Sequence, residues 1–107
     1  MEIPTKIKVA GYDIEIIRWN IFDGYKRQRF GEFCAADQSI AIDITLKPFK
    51  LVSTLIHEIN HAIFWAYHLE DKDEEERIVS VFATAWTQVY RDNPDLLAFI
   101  SKNLGVA

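Results

Sequence analysis

The 107-residue sequence holds one cysteine, Cys34, so no disulfide can form within the chain. That suits a reducing compartment, where Cys34 reads as a small apolar residue rather than a nucleophile. Proline and glycine are scarce, at three and four residues, and no Pro/Gly/Ser-rich linker, repeat or low-complexity stretch divides the chain. A single domain over residues 1–107 is therefore expected. No apolar run approaches the roughly 18 to 20 residues that span a bilayer. The opening Met1-Glu2-Ile3-Pro4 lacks the basic and apolar regions of a secretory signal. A cytoplasmic chain with no membrane partner is the expectation. Positive charge is also short, and the net charge of −4 argues against a nucleic-acid partner.

What is present is the composition of a globular protein, 50% hydrophobic and 26% charged. Its texture changes near Pro48. Before it, Lys6-Ile7-Lys8-Val9 alternates, Ala10-Gly11 offers a tight turn, and Tyr12, Ile14 and Ile16 resume the period of two. Ser39 to Ile44 alternates again after the turn-prone Ala36-Asp37-Gln38. An antiparallel sheet of three or four strands is expected. Asn20 to Phe30, with Asp23-Gly24 and then Lys26, Arg27 and Arg29, reads as a solvated loop or edge strand, with a basic substrate-facing rim as the lesser option.

After Pro48 the apolar residues Val52, Leu55, Ile56, Ile59, Ala62, Ile63 and Ala66 recur at three- and four-residue steps, which predicts a helix from about Pro48 to His68. A charged connection, Leu69 to Asp73, leads to a second helix from about Glu74 to Arg91. Its inward residues are expected to be Val79, Phe82, Ala83, Trp86 and Val89 or Tyr90. Asn93-Pro94-Asp95 supplies an N-cap, a first-turn proline and a first-turn carboxylate for a short last helix to about Asn103. Strands followed by helices make an α+β domain.

The long helix carries His57-Glu58-Ile59-Asn60-His61, a His-Glu-x-x-His motif. Positions four apart share one helical face about 6 Å apart along the axis, so two imidazoles can converge on one ion. Neutral imidazole suits Zn²⁺, and the intervening Glu58 flanks the site, where it can take a proton from water activated by the metal. The bland alternative is a pair of partly buried histidines that merely pack or hydrogen-bond on a core helix.

A catalytic zinc takes a third protein ligand. His68 lies seven residues beyond His61, roughly 10 Å along an unbroken helix, too far for zinc–nitrogen bonds of about 2 Å. It suits a helix end instead. Nothing around Cys34 recommends it. The acidic run Asp73-Glu74-Glu75-Glu76 opens the next helix, where carboxylates favour the dipole in any case. Glu76 stands three residues before Val79 and seven before Ala83, on the expected inward stripe. Glu75 is next best placed, and Glu74 less so.

Thr54 to Ala62 resembles the active-site helix of the minimal gluzincin metallopeptidases, especially the ImmA/IrrE type. In that family the third ligand heads a segment Glu-x-x-Ala-x-x-Phe-Ala. Glu76-Arg77-Ile78-Val79-Ser80-Val81-Phe82-Ala83 is similar, with Val79 for the first alanine, so the resemblance also selects Glu76. It spans about residues 31 to 91 and implies that Ser39 to Ile44 forms the sheet edge beside the cleft. Gln88 to Pro94 resembles a tail of small phage and prophage proteins with the same motif. The Leu-Leu-Met-Pro end after the second helix, and any attached helix-turn-helix or sensor domain, are absent from the sequence.

Two functions follow as expectations. The first is a zinc-dependent metallopeptidase acting on a protein or peptide substrate, with His57, His61 and Glu76 on the metal and Glu58 as general base. A substrate strand would add to the edge near Ser39 to Ile44, and Tyr67, Tyr25 and Arg91 are alternatives for stabilising the oxyanion. The second is a metal-stabilised binding or regulatory module without hydrolysis.

Overall fold

The computed structural model describes residues 2–106. Its elements are β1 (Lys6–Val9), β2 (Tyr12–Trp19), α1 (Ile21–Arg27), β3 (Gly31–Cys34), β4 (Ser39–Asp43), α2 (Pro48–Ala66), α3 (Glu75–Asp92) and α4 (Pro94–Asn103). The fold is α+β. Among the described residues no helix is long and apolar enough to cross a membrane.

β1 and β2 form a hairpin closed by Ala10 and Gly11, at φ 52° and 85°, the positive pair that a type I′ turn requires. The sheet order is β1-β2-β4-β3. It is mixed, not wholly antiparallel: β2 and β4 run parallel, with Ile16 opposite Ile40 and Trp19 opposite Asp43. Parallel strands need a crossover, and α1 with β3 supplies it. The alternation in β4 does not mark a half-exposed strand either, since Ser39 to Asp43 is buried throughout. Ala41 lies in register between the longer Ile17 and Glu32, which cover its methyl group.

The apolar sides of β1, β2 and β4 (Ile7, Val9, Ile14, Ile16, Ile40, Ile42) join Leu55, Ile59, Ala62 and Ile63 of α2 in one core, completed by Ala85, Val89, Leu96 and Phe99. α2 begins with Pro48 at its first position, as expected. It ends in a Schellman motif: His68 takes φ 55° and the Leu69 N–H donates to the Phe64 carbonyl at 3.0 Å, with Leu69 buried.

Two expectations need correction beyond the sheet. Asn20 to Arg27 is not a loop or strand, because Asn20 and Asp23 exchange side-chain and backbone hydrogen bonds as a capping box that starts α1. α3 is also turned about its axis. Ala85 and Val89 are buried with Ile78, Val81, Phe82 and Trp86 partly so, whereas Val79 and Tyr90 are more than half exposed and Ala83 is exposed. Asn93 is the N-cap residue of α4, as expected, but its side chain makes no capping hydrogen bond. Its side chain instead accepts from the Lys8 N–H at 2.7 Å and donates to the Lys8 carbonyl at 2.8 Å, standing in for a strand partner on β1.

Candidate metal centre

α2 places His57 and His61 one turn apart on its exposed face, with their Nε2 atoms 3.1 Å apart. That is a hydrogen bond between the two imidazoles, and the spacing is also close to the about 3.3 Å that separates two nitrogens bound tetrahedrally to one zinc at about 2.0–2.1 Å. Glu58, between them in sequence, is buried at 6% exposure. No salt bridge or hydrogen bond engages its carboxylate among the described residues, and no side-chain oxygen or nitrogen there is both sealed and unpartnered. Its oxygens therefore open on the cleft.

That cleft, about 1240 Å³, is walled by α2 on one side and by α1 and β3 on the other. β3 comes close because residue 31 is glycine: a Cβ there would lie 3.0 Å from Thr54 Cγ2, 3.1 Å from the Ala41 carbonyl oxygen and 3.3 Å from Glu58 Cγ. A second glycine, Gly24, seats α1, since a Cβ there would meet the Arg29 carbonyl at 2.9 Å and Asp43 Oδ2 at 3.5 Å.

The strand at the cleft is β3, and this corrects the expected edge. β4 is internal, hydrogen-bonded to β2 on one side and β3 on the other. The Asp43 N–H donates to the Phe30 carbonyl at 2.9 Å, and Gly31 pairs with Ile42. Backbone direction alternates along an antiparallel strand, so Gly31 and Phe33 turn their N–H and C=O groups away from β4. Both line the cleft.

Of the expected site residues, His57, Glu58 and His61 come together on the cleft, and Glu76 does not join them. Among the described residues no third His, Cys, Asp or Glu groups with the pair. Glu76 is exposed on the first turn of α3, on the solvent side of the rotated stripe. α3 meets α2 through Trp86 Nε1–H, which donates to Asn60 Oδ1 at 2.9 Å. Its start sits by the far end of α2, where Arg77 donates to the Tyr67 carbonyl. Glu75 is exposed as well, His68 ends the helix, and Cys34 Sγ lies against Asp37 at 3.5 Å.

Among the oxyanion candidates only Tyr25 lines the cleft. The Tyr67 hydroxyl donates to Gln88 Oε1, and Arg91 is paired with Asp92 at 2.8 Å. The hydrogen bond to Asp92 raises the pKa of Arg91 and lowers that of Asp92, a local effect on an exposed pair. Sequence reasoning missed Gly31, Phe33, Trp65 and Lys50 as cleft residues. Gly31 carried a legible signal, a glycine before an apolar strand segment, which often marks close approach of another backbone or side chain. No family model, curated protein or solved structure matches the chain.

Proposed function

We propose that this chain is a zinc-dependent metallopeptidase that hydrolyses bonds in an extended peptide. The observation that carries the reading is the convergence of His57 and His61 Nε2 at 3.1 Å beside an unpartnered, buried Glu58 on an open cleft. His57 and His61 would hold the metal, with Glu76 as the third ligand. When bound, zinc supplies a Lewis acid for the carbonyl oxygen and makes a water acidic near neutral pH.

The rest of the chemistry falls to this chain's own residues. Glu58 accepts the proton of the attacking water and returns it to the leaving amine, within a pocket whose burial leaves few competing hydrogen bonds. The free N–H and C=O groups of Gly31 and Phe33 offer an extended peptide a strand to pair with, which orients its backbone along the histidines. Tyr25 is the candidate to steady the developing oxyanion.

A second reading, a metal-stabilised binding module without hydrolysis, is favoured by one observation: Glu76 stands apart from the histidine pair. Metal analysis and cleavage of an unfolded protein, performed on wild type, His57→Ala/His61→Ala and Glu58→Gln, separate the two. The peptidase reading expects about one Zn²⁺ per wild-type chain, none in the double variant, and metal without cleavage in Glu58→Gln. Metal-loaded wild type that cleaves nothing leaves the binding module. Absence of metal in wild type removes both.

A further inference from the structure

The two ends of the cleft differ in chemistry. At one end Trp65 packs at a tilt against Tyr12 and Phe33, with ring centroids 4.7 and 5.6 Å away. At the other, Lys50 Nζ stands 4.9 Å from the Phe30 ring centroid. Of the other charges at that end, Arg29 pairs with Glu32 at 2.9 Å, and the buried Asp43 accepts from Thr45 N–H at 2.8 Å. Lys50 has no carboxylate within ion-pair distance among the described residues. The histidine pair lies between the two ends.

We infer that the cleft selects extended peptides carrying an apolar residue for the Trp65 end and an acidic residue for Lys50. The inference deepens the proposed function and rests on it, since it takes an extended peptide along β3 as the occupant. Helical rise places Lys50 about 13 Å from the middle of the histidine pair in one direction and Trp65 about 9 Å in the other. An extended chain advances about 3.3 Å per residue, so the acidic side chain falls about four residues from the histidines and the apolar one about three. Glu32 already claims Arg29, and this leaves Lys50 as the charge that distinguishes substrates. Its ammonium lies against an aromatic face, which restrains it without neutralising it.

The test is binding, measured on the zinc-loaded full chain carrying Glu58→Gln so that turnover does not intervene. Fluorescent decapeptides carry phenylalanine at one position and either aspartate or lysine seven residues away, in both chain directions. In one direction the aspartate peptide should bind about threefold to fivefold more tightly at low salt, the scale of an exposed ion pair. Added Lys50→Glu should invert that preference. The variant is compatible with folding, because a carboxylate in the first turn of α2 favours the helix dipole. Lys50→Met should abolish the preference without inverting it. Equal affinities in both directions, a preference untouched at Lys50, or no binding of any peptide would overturn the inference. Cleavage of unfolded protein by wild type is scored separately. Cleavage without charge preference sinks the inference alone, and charge preference without cleavage sinks the peptidase reading alone.

Discussion

At the β1 edge of the sheet, Asn93 takes both the N–H and the C=O of Lys8, and it also donates to the Val89 carbonyl at 3.0 Å, so α3, α4 and the strand are tied at one point. At the β3 edge, no strand or side chain among the described residues plays that part, and the backbone of Gly31 and Phe33 faces an open cleft. Exposed strand edges invite pairing with other chains, and proteins cover them unless the edge has a use. Under the proposed function, one edge would serve stability and the other peptide binding. The contrast also bears on the surface of α1, whose cleft-lining Ile21 and Tyr25 are 58% and 85% exposed although Gly24 is buried. That helix lends its apolar residues to the cleft rather than to the core.

The sharpest way to break the comparison is at Glu58. Replacing it with glutamine keeps shape and hydrogen bonding but removes the base, so cleavage should fall by roughly 10² or more while zinc stays bound. Wild-type turnover in Glu58→Gln would show that the open edge works without this carboxylate. Glu76 is the next point of attack. Glu76→Ala should weaken zinc affinity at least about tenfold, as loss of a ligand requires, whereas Glu75→Ala should not. Competition with a chelator measures both, and equal affinities would make the histidine pair a site completed without α3.

The covered edge makes its own prediction. Asn93→Ala leaves the Lys8 N–H and C=O without partners in a half-buried place, and should cost about 1–3 kcal/mol of stability. The melting temperature should fall while zinc affinity does not. A loss of metal with no loss of stability would mean that the two edges are not separate devices.

These roles were unequally legible in the sequence. α2 was plain because Pro48, an apolar stripe and the His-Glu-x-x-His spacing all describe the same helix, and the histidines had to share a face. α1 was obscure because it buries only Gly24 and carries no apolar period, leaving the Asn20/Asp23 pair as its sole signal. Strand alternation holds no information on direction, so the parallel pairing of β2 with β4 and the exchange of edge from β4 to β3 could not be read. In α3, Ile78, Val79, Val81 and Phe82 surround much of the helix, and a shift of one residue turns it by about 100°. A smaller turn than that, which leaves Phe82, Trp86 and Val89 inward, takes Glu76 from the expected stripe to solvent.

The smallest expected effect bears on why the open edge stays near the helix. Gly31→Ala adds a methyl that meets the Thr54 methyl at 3.0 Å, the Ala41 carbonyl at 3.1 Å and Glu58 Cγ at 3.3 Å. The Thr54 and Glu58 side chains can yield, but the carbonyl belongs to the central strand and can move only with it. Overpacking of this kind costs about 1–3 kcal/mol, and the reduced freedom of the unfolded chain returns about 0.4–1 kcal/mol. The net expectation is a loss of about 1 kcal/mol, read as a melting temperature lower by roughly 4–8 °C. Cleavage should fall further than stability accounts for, because β3 is pushed off Glu58, whereas zinc affinity should hold. Thr54→Ser removes the nearest contact, so the pair Gly31→Ala/Thr54→Ser should be more stable than the sum of the two single changes implies. Strict additivity would mean that the Thr54 methyl is not what limits the approach, and that the Ala41 carbonyl alone sets the distance between edge and helix.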